Sequence, residues 1–376
     1  MRFRLRNLLR CPACRGRLDV AAFATAPDGD IVDGELHCGC GACYPIVDTI
    51  PRMLPNAYAE FPDFVLRYRE RVHRSAPVVP QTFKAAAREH RLLARTQRSF
   101  GYQWTTFSEM VCDFRENFWN YLQPATPESF NGRLGLDAGC GFGRHIYHAA
   151  MNGAEMVGVD LSRAIDATRR NTQHLPNVHL VQADLCRPPF EDGTFDFVYS
   201  LGVLHHLPDP ARGTQALAKL LRPGGMMFIW VYSSRRRIMN ALLEAARSVT
   251  TRLPHPLLRP ICWLGAVVDW CGFVLPYRAL RRIPAIGTGI ERLTPARVRV
   301  YSRYPFQVLE ADWFDRLAAP VRFYYDASGA ETLIRSVGLA DVQVSATGLY
   351  GWRVCGVNPA TPVPAATKEL EGTRAQ

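Results

Sequence analysis

The sequence predicts an α/β fold: a sheet of largely parallel strands with helices on both faces, preceded by a small cysteine-bearing unit and interrupted late by a basic helical insertion. Three observations predict it. Between Leu134 and Tyr232 short apolar runs alternate with helical patterns, and strands separated by helices pair in parallel. The stretch "LGLDAGCGFGRHIYHAA", Leu134–Ala150, stops an apolar run at an acid, passes three alternating glycines and turns helical, as a ligand-binding strand–turn–helix does. Five of the eleven cysteines fall within the first 43 residues, too many for chance in a segment too short to bury much core.

Taken in order, residues 1–55 form the cysteine unit. Residues 56–128 carry helical patterns rich in Arg and aromatics, broken at Pro77 and Pro80. Residues 129–232 hold the strands Leu134–Asp137, Glu155–Val159, Val178–Gln182, Phe195–Ser200 and Met226–Tyr232. Residues 233–305 break the rhythm and read as an insertion. Residues 306–358 return to it, with a helix near Ala327–Val337 and strands near Asp341–Ser345 and Arg353–Val357. The tail, 359–376, is rich in Ala, Pro and Thr and is expected to be disordered.

Composition bounds the classes. Of 376 residues, 48% are hydrophobic, enough for a sizeable core. The basic start "MRFRLRNLLRCPAC" lacks the apolar core of a signal peptide. A cytoplasmic location follows as the expectation, and there clustered cysteines read as metal ligands rather than disulfides. No run of the roughly 18–20 apolar residues that span a bilayer is expected. The net charge of +11 is concentrated: residues 233–304 hold thirteen arginines, no lysine and three acids, Glu244, Asp269 and Glu291, an excess of ten positive charges. One local anionic contact, rather than a basic protein throughout, is implied.

The glycine turn sets the ligand class. A dinucleotide loop reads G-x-G-x-x-G and holds a pyrophosphate at a helix N-terminus. Gly139, Gly141 and Gly143 read G-x-G-x-G, and Arg144 stands where the third dinucleotide glycine would fall. Asp137 precedes them; a carboxylate there opposes phosphate and suits a cationic ligand without phosphate, such as S-adenosylmethionine. Asp160 closes "EMVGVD" at the spacing where an acid takes ribose hydroxyls. Asp184 ends the next strand, "LVQAD", where it can accept from an adenine amino group.

With "FDFVYS", "LGVLHHLPDP" and "LRPGG" following in order, the chain from about Arg133 to Tyr232 resembles the class I S-adenosylmethionine-dependent methyltransferases of the ubiquinone/menaquinone-biosynthesis-like superfamily. The resemblance implies a Rossmann-like, doubly wound, seven-stranded sheet. It implies cofactor contacts from Asp137, Gly139, Gly141, Gly143, Asp160, Leu161, Asp184, Leu185 and Ser200. His205 and His206 follow the fourth strand at the ligand-binding edge. His206 is the candidate general base, though packing is the stronger reading for such a loop histidine. Tyr102 and Trp104, in "SFGYQWTTF", are candidates for a lid, and Tyr324 and Tyr325 for acceptor contact; packing is the competing reading for each.

Cys11 and Cys14 form one C-P-x-C knuckle, and "LHCGCGACYPI" supplies Cys38, Cys40 and Cys43. Four thiolates make a closed tetrahedral site for a structural zinc. Gly41 after Cys40 favours Cys38 and Cys40 as the second pair, with Cys43 the alternative and His37 an outside candidate. The segment resembles the zinc-ribbon family of small methyltransferase activators, fused here to its enzyme.

"ICWLGAVVDWCGFVLP", Ile261–Pro276, is apolar but for Asp269, with arginines on both sides. A buried cap helix with a solvated basic face is the favoured reading. Peripheral membrane contact through residues 235–282, at the inner face of the membrane, is the alternative. The whole reads as methyl transfer to a small-molecule or lipid- or sugar-linked acceptor. The rivals are an RNA base methyltransferase that uses the ribbon for recognition, and a non-catalytic activator or binding protein. Oligomeric state is not legible.

Overall fold

The computed structural model describes residues 1–73, 83–284, 286–348 and 350–360. Pro77, Pro80 and the tail from 361 onward lie outside the described residues. Two sheets organise the rest. The first is an antiparallel meander of β1 (Leu18–Thr25), β2 (Ile31–Cys38), β3 (Cys43–Val47) and β4 (Ile50–Pro51), in that order. The second has seven strands: β5 (Leu134–Ala138), β6 (Glu155–Asp160), β7 (Val178–Gln182), β8 (Phe195–Leu201), β9 (Leu221–Tyr232), β10 (Ala340–Thr347) and β11 (Gly351–Val357), ordered β10-β11-β9-β8-β5-β6-β7.

Strands β5 to β9 pair in parallel, and β11 and β10 add antiparallel at one side. This is the Rossmann-like, doubly wound sheet. Helices cover both faces, so its central strands are buried on both sides, and β7 is buried at every residue. That is why they read as largely apolar runs, with a few polar residues such as His179 and Gln182 among them. Strand β9 begins at Leu221, earlier than expected, because "LRPGG" already pairs with Phe195 across an irregular register. The helix Phe306–Ala318 was not foreseen; it packs across the insertion, burying Leu309, Phe314 and Leu317.

The cysteine unit does not hang beside this sheet. Arg52 bridges in parallel to Gln182 at the β7 edge, and the Met53 amide donates to the Gln182 carbonyl at 2.7 Å. Leu9 bridges to Phe190, and the Arg10 amide donates to the Pro189 carbonyl at 2.8 Å. Leu5, Leu9, Leu36, Tyr44, Ile46 and Met53 share one apolar cluster with Val157, Val159, Val181 and Phe190. An edge strand with unpaired backbone groups is thereby covered.

At this seam Arg52 is 1% exposed. Its guanidinium donates to Asp166 at 2.5 Å and Gln182 at 3.1 Å, and stacks over Phe61 at 4.5 Å. A buried cation is tolerable only with such partners.

The insertion between β9 and β10 is helical: Arg237–Thr250, His255–Asp269, Leu275–Leu280, Gly287–Leu293 and Ala296–Tyr301. One sequence expectation is corrected here. The expected apolar run of 16 residues is part of a continuous helical stretch, His255–Leu280, of 26 residues, and it is long and apolar enough to cross a membrane. The helix outruns the apolar run because a π-turn over Trp270–Val274 carries the chain into Pro276, whose ring would otherwise clash with the preceding turn.

Arg52→Ala is expected to cost about 2–4 kcal/mol in denaturant unfolding, since it leaves a largely buried Asp166 with one partner fewer. Arg4→Ala, which breaks an exposed pair with Glu155, is expected to cost under about 1 kcal/mol. Equal, small losses for both would show that the seam does not depend on Arg52.

Candidate functional site

Strand order reverses between β5 and β8: from β5 the chain continues to β6 on one side, from β8 to β9 on the other. Loops leaving their carboxyl ends diverge and open a crevice there. A cavity of about 700 Å³ fills it, within the usual range for a small-molecule site.

The three glycines of the β5 loop serve three ends. Gly139 has φ +93°, and a Cβ there would lie 2.3 Å from Val203 on the β8 loop. It holds the two loops together. Gly141, at φ +56°, lines the cavity, and a Cβ there would meet only the Trp104 ring, at 3.6 Å. Gly143, at φ +94°, precedes the helix Arg144–Met151, and a Cβ would press 2.9 Å from Thr168. Gly143 therefore serves helix packing and stands behind the lining.

Asp160 and Asp184 both line the cavity, with Leu161 and Leu185 beside them. Asp160 accepts from the Gly141 amide at 2.9 Å and from the Ser162 amide and hydroxyl at 2.8 and 2.7 Å. Burial pushes its carboxyl above the usual range, and these donors oppose the shift. Asp184 accepts from the Cys186 amide at 2.9 Å, which fixes its turn.

Asp137 departs from its expected place. It is 2% exposed, does not line the cavity, and its Oδ2 has no hydrogen-bond partner among the described residues. Burial pushes it up to about 8, with Tyr199 and Arg144 opposing and Asp160 reinforcing. Burial therefore favours its protonated form, against the charge expected of it. Ser200 also sits behind the lining, where its hydroxyl donates to the Ala138 carbonyl at 2.9 Å and ties β8 to β5.

His206 lines the cavity and is 3% exposed. Its Nδ1 lies 2.7 Å from the Val321 carbonyl. A carbonyl only accepts, so Nδ1 carries the proton and Nε2 is left with its lone pair. Burial holds the ring below its ordinary pKa, against the pull of Asp315, which favours its neutral form. His205, by contrast, is wholly buried against Tyr232 and does not line the cavity.

Sequence reasoning named Tyr324 but missed the other polar groups around His206. Tyr232 donates to Asp315 at 2.5 Å. Arg247 is buried, donating to Tyr324 at 2.5 Å and Glu244 at 3.0 Å. Arg316 pairs with Asp312 at 2.6 Å. All but Glu244 line the cavity. Tyr232 was legible as the carboxyl end of a strand; Asp312, Asp315 and Arg316 share a helix that was not predicted. Of the lid candidates, Trp104 lines the cavity, whereas Tyr102 packs on Phe314 and His255. Tyr324 reaches the cavity and Tyr325 does not.

In the small sheet, Cys11, Cys14, Cys38 and Cys40 have their sulfurs within 4.8 Å of one another. Cys11–Cys40 and Cys14–Cys38 stand 3.9 and 3.3 Å apart. Cys43 turns to a second group with Glu35 and His37, its sulfur 3.6 Å from His37 Nδ1.

Comparison with known proteins agrees with this geometry. Residues 136–229 match the methyltransferase-domain family, and residues 2–48 the Trm112p-like protein family. A ubiquinone biosynthesis O-methyltransferase of Marinobacter nauticus is 28% identical over 46% of this chain and 71% of its own length. A tRNA U34 carboxymethyltransferase of Pseudoalteromonas atlantica is 36% identical over 30% of this chain, and this chain spans 35% of its length. A solved S-adenosylmethionine-dependent methyltransferase of Aquifex aeolicus aligns with 65% of this chain and 98% of its own, at 13% identity and a TM-score of 0.36. The family match defines a methyltransferase. Within that class, the chain joins the methyltransferase domain to an N-terminal Trm112p-like domain.

The Asp137 carboxyl keeps its proton to higher pH when folded than when unfolded. Between about pH 4 and 8 the folded state therefore binds more protons, and stability falls as pH rises. Asp137→Asn removes this penalty. In ligand-free urea unfolding, its advantage over the wild type is expected to grow from pH 5 to 8 by up to about 1.4 kcal/mol per pH unit. A pH-independent difference would show that Asp137 is ionised throughout.

Proposed function

We propose that the chain transfers the methyl group of S-adenosylmethionine to a small-molecule or lipid- or sugar-linked acceptor. The observation that carries this reading is that Gly141, Asp160 and Asp184 line the same cavity as His206 and Tyr232. The first group fits the cofactor. Gly141 lets the ligand approach the backbone, Asp160 would hold the ribose hydroxyls, and Asp184 the adenine amino group. Leu161 and Leu185 would flank the base. Asp137, Gly143 and Ser200 would act from behind, by shaping the loop. When bound, the cofactor supplies a methyl group on an electrophilic sulfonium. A nucleophile in line with it must then lose a proton. The His206 Nε2 lone pair, held outward by the Nδ1–Val321 hydrogen bond, is the group placed to accept it.

The four thiols of Cys11, Cys14, Cys38 and Cys40 suit a structural zinc. Tetrahedral bonds of about 2.3 Å put sulfurs about 3.8 Å apart, close to the observed separations. Four cysteines leave no open position, so we assign the metal no chemistry. We propose a cytoplasmic location, on the strength of cysteines left as free thiols. An RNA acceptor is the second reading, favoured by the arginine excess of residues 233–304; it requires binding that weakens steeply with salt.

Calorimetry is expected to find S-adenosylmethionine bound and NAD not bound. Asp160→Ala should weaken the cofactor at least about tenfold, the loss of a charged hydrogen bond worth about 1.5–3 kcal/mol. A folded variant with undiminished affinity contradicts the ribose assignment, and binding of NAD alone overturns the whole reading.

Metal analysis of the purified protein is expected to give about one zinc per chain, with Cys14→Ser losing it and melting earlier. Content well under one in the wild type would rule out the zinc site.

A further inference from the structure

We infer that the insertion docks this enzyme on an anionic lipid bilayer, and that its acceptor is an amphiphile whose polar head enters the cavity while its tail stays in the membrane. The acceptor half of this inference rests on the methyl-transfer reading above; the docking half does not.

The helical stretch His255–Leu280 has two apolar faces. Leu258, Cys262, Ala266, Val274 and Tyr277 form the inward stripe and are buried. Leu258 and Cys262 pack with Phe314 and Leu317 of the helix Phe306–Ala318. Asp269, the one acid, is also turned inward, paired with Arg297 and accepting from Trp313 Nε1 at 3.1 Å. The outward stripe is Leu257, Ile261, Leu264 and Val268, at helical spacing, exposed by 62, 48, 59 and 61%. A surface helix in water turns polar residues outward; this one turns leucine, isoleucine and valine. The neighbouring helix Arg237–Thr250 adds Ile238, Leu242 and Val249, all exposed. A monomer rarely leaves so long an apolar row in water.

Charge identifies the occupant. Exposed arginines flank the stretch along the chain: Arg252 just before it, Arg281 and Arg282 just after it. The stretch, about 39 Å long, therefore has apolar residues in its middle and cations at its ends. That is the pattern of a helix lying in the headgroup region of an anionic membrane. It lies on the bilayer rather than crossing it, because its inward stripe is already packed against protein.

The cavity meets the insertion at the helix Arg237–Thr250; no described residue of His255–Leu280 lines it. The helix Arg237–Thr250 turns Asn240, Leu243 and Arg247 into the cavity and Leu242 and Val249 out. The cavity's lining includes the charged side chains of Arg247, Asp312 and Asp315. A polar head inside and an apolar tail outside match these two surroundings.

The test uses the full chain and vesicles of phosphatidylcholine alone or mixed equally with phosphatidylglycerol. In flotation, the wild type is expected to rise with the anionic vesicles, at least about fivefold more than with the neutral ones, and to be released by about 1 M salt. Ile261→Ser/Leu264→Ser/Val268→Ser, all at exposed positions, should reduce the bound fraction at least about tenfold. Arg252→Glu/Arg282→Glu should abolish the preference for the anionic lipid. Cofactor affinity by calorimetry should stay at wild-type level in both variants, which shows that they fold. Wild type that stays unbound to anionic vesicles overturns the docking, as does undiminished binding by the triple-serine variant. A wild-type dimer in sedimentation that the triple variant abolishes also overturns it, since a second copy then covers the face. Loss of cofactor binding with docking intact would instead count against the methyl-transfer reading alone.

Discussion

The contact between Gly139 and Val203 is the constraint on which the site depends. Val203 occupies the space a side chain at position 139 would need, so the loops after β5 and β8 close on each other at their bases and diverge only above. The crevice exists because two parallel strands that are neighbours in the sheet send their chains in opposite directions. Four of the polar groups that line the cavity come from strand ends at that divergence: Asp160 at the end of β6, Asp184 after β7, His206 after β8 and Tyr232 at the end of β9. Each is delivered by the end of a buried strand, which positions it more firmly than a free loop would. The helices of the insertion then form a wall, with Arg247 buried inside it.

Much of this was legible in the chain. Buried parallel strands must be largely apolar, so β5 to β8 appeared with their ends within a residue or two. The glycine spacing separated this loop from a dinucleotide loop, because Arg144 stands where a close-packing glycine would be needed. The positions of Asp160 and Asp184 followed from strand ends alone. The cysteine pairing also followed locally: Gly41, at φ +91°, makes the turn that brings Cys38 and Cys40 to the first pair.

What was not legible depends on tertiary surroundings. Asp137 reads as a charged ligand residue, yet Tyr199 and the neighbouring strands enclose it, and burial rather than sequence position sets its protonation. Tyr102 and Trp104 look equivalent two residues apart, but on a helix that spacing places them on different faces, one toward Phe314 and one toward Gly141. The Nδ1–Val321 hydrogen bond joins residues 115 apart, so the histidine's tautomer could not be read locally. The length of the helical stretch in the insertion was hidden by Pro276, which ordinarily ends a helix and here follows a wide turn instead.

The seam at β7 also changes what dilution can do. Two separate proteins meeting at such an edge would part as their concentration fell, and each would then expose apolar surface. In this chain Ile50, Arg52 and Met53 pass directly from the small sheet onto the β7 edge, so the meeting is intramolecular. A short tether corresponds to an effective concentration on the order of millimolar, independent of how much protein is present. The proportion of the two parts is fixed at one to one by synthesis, and neither has to find the other among competing partners.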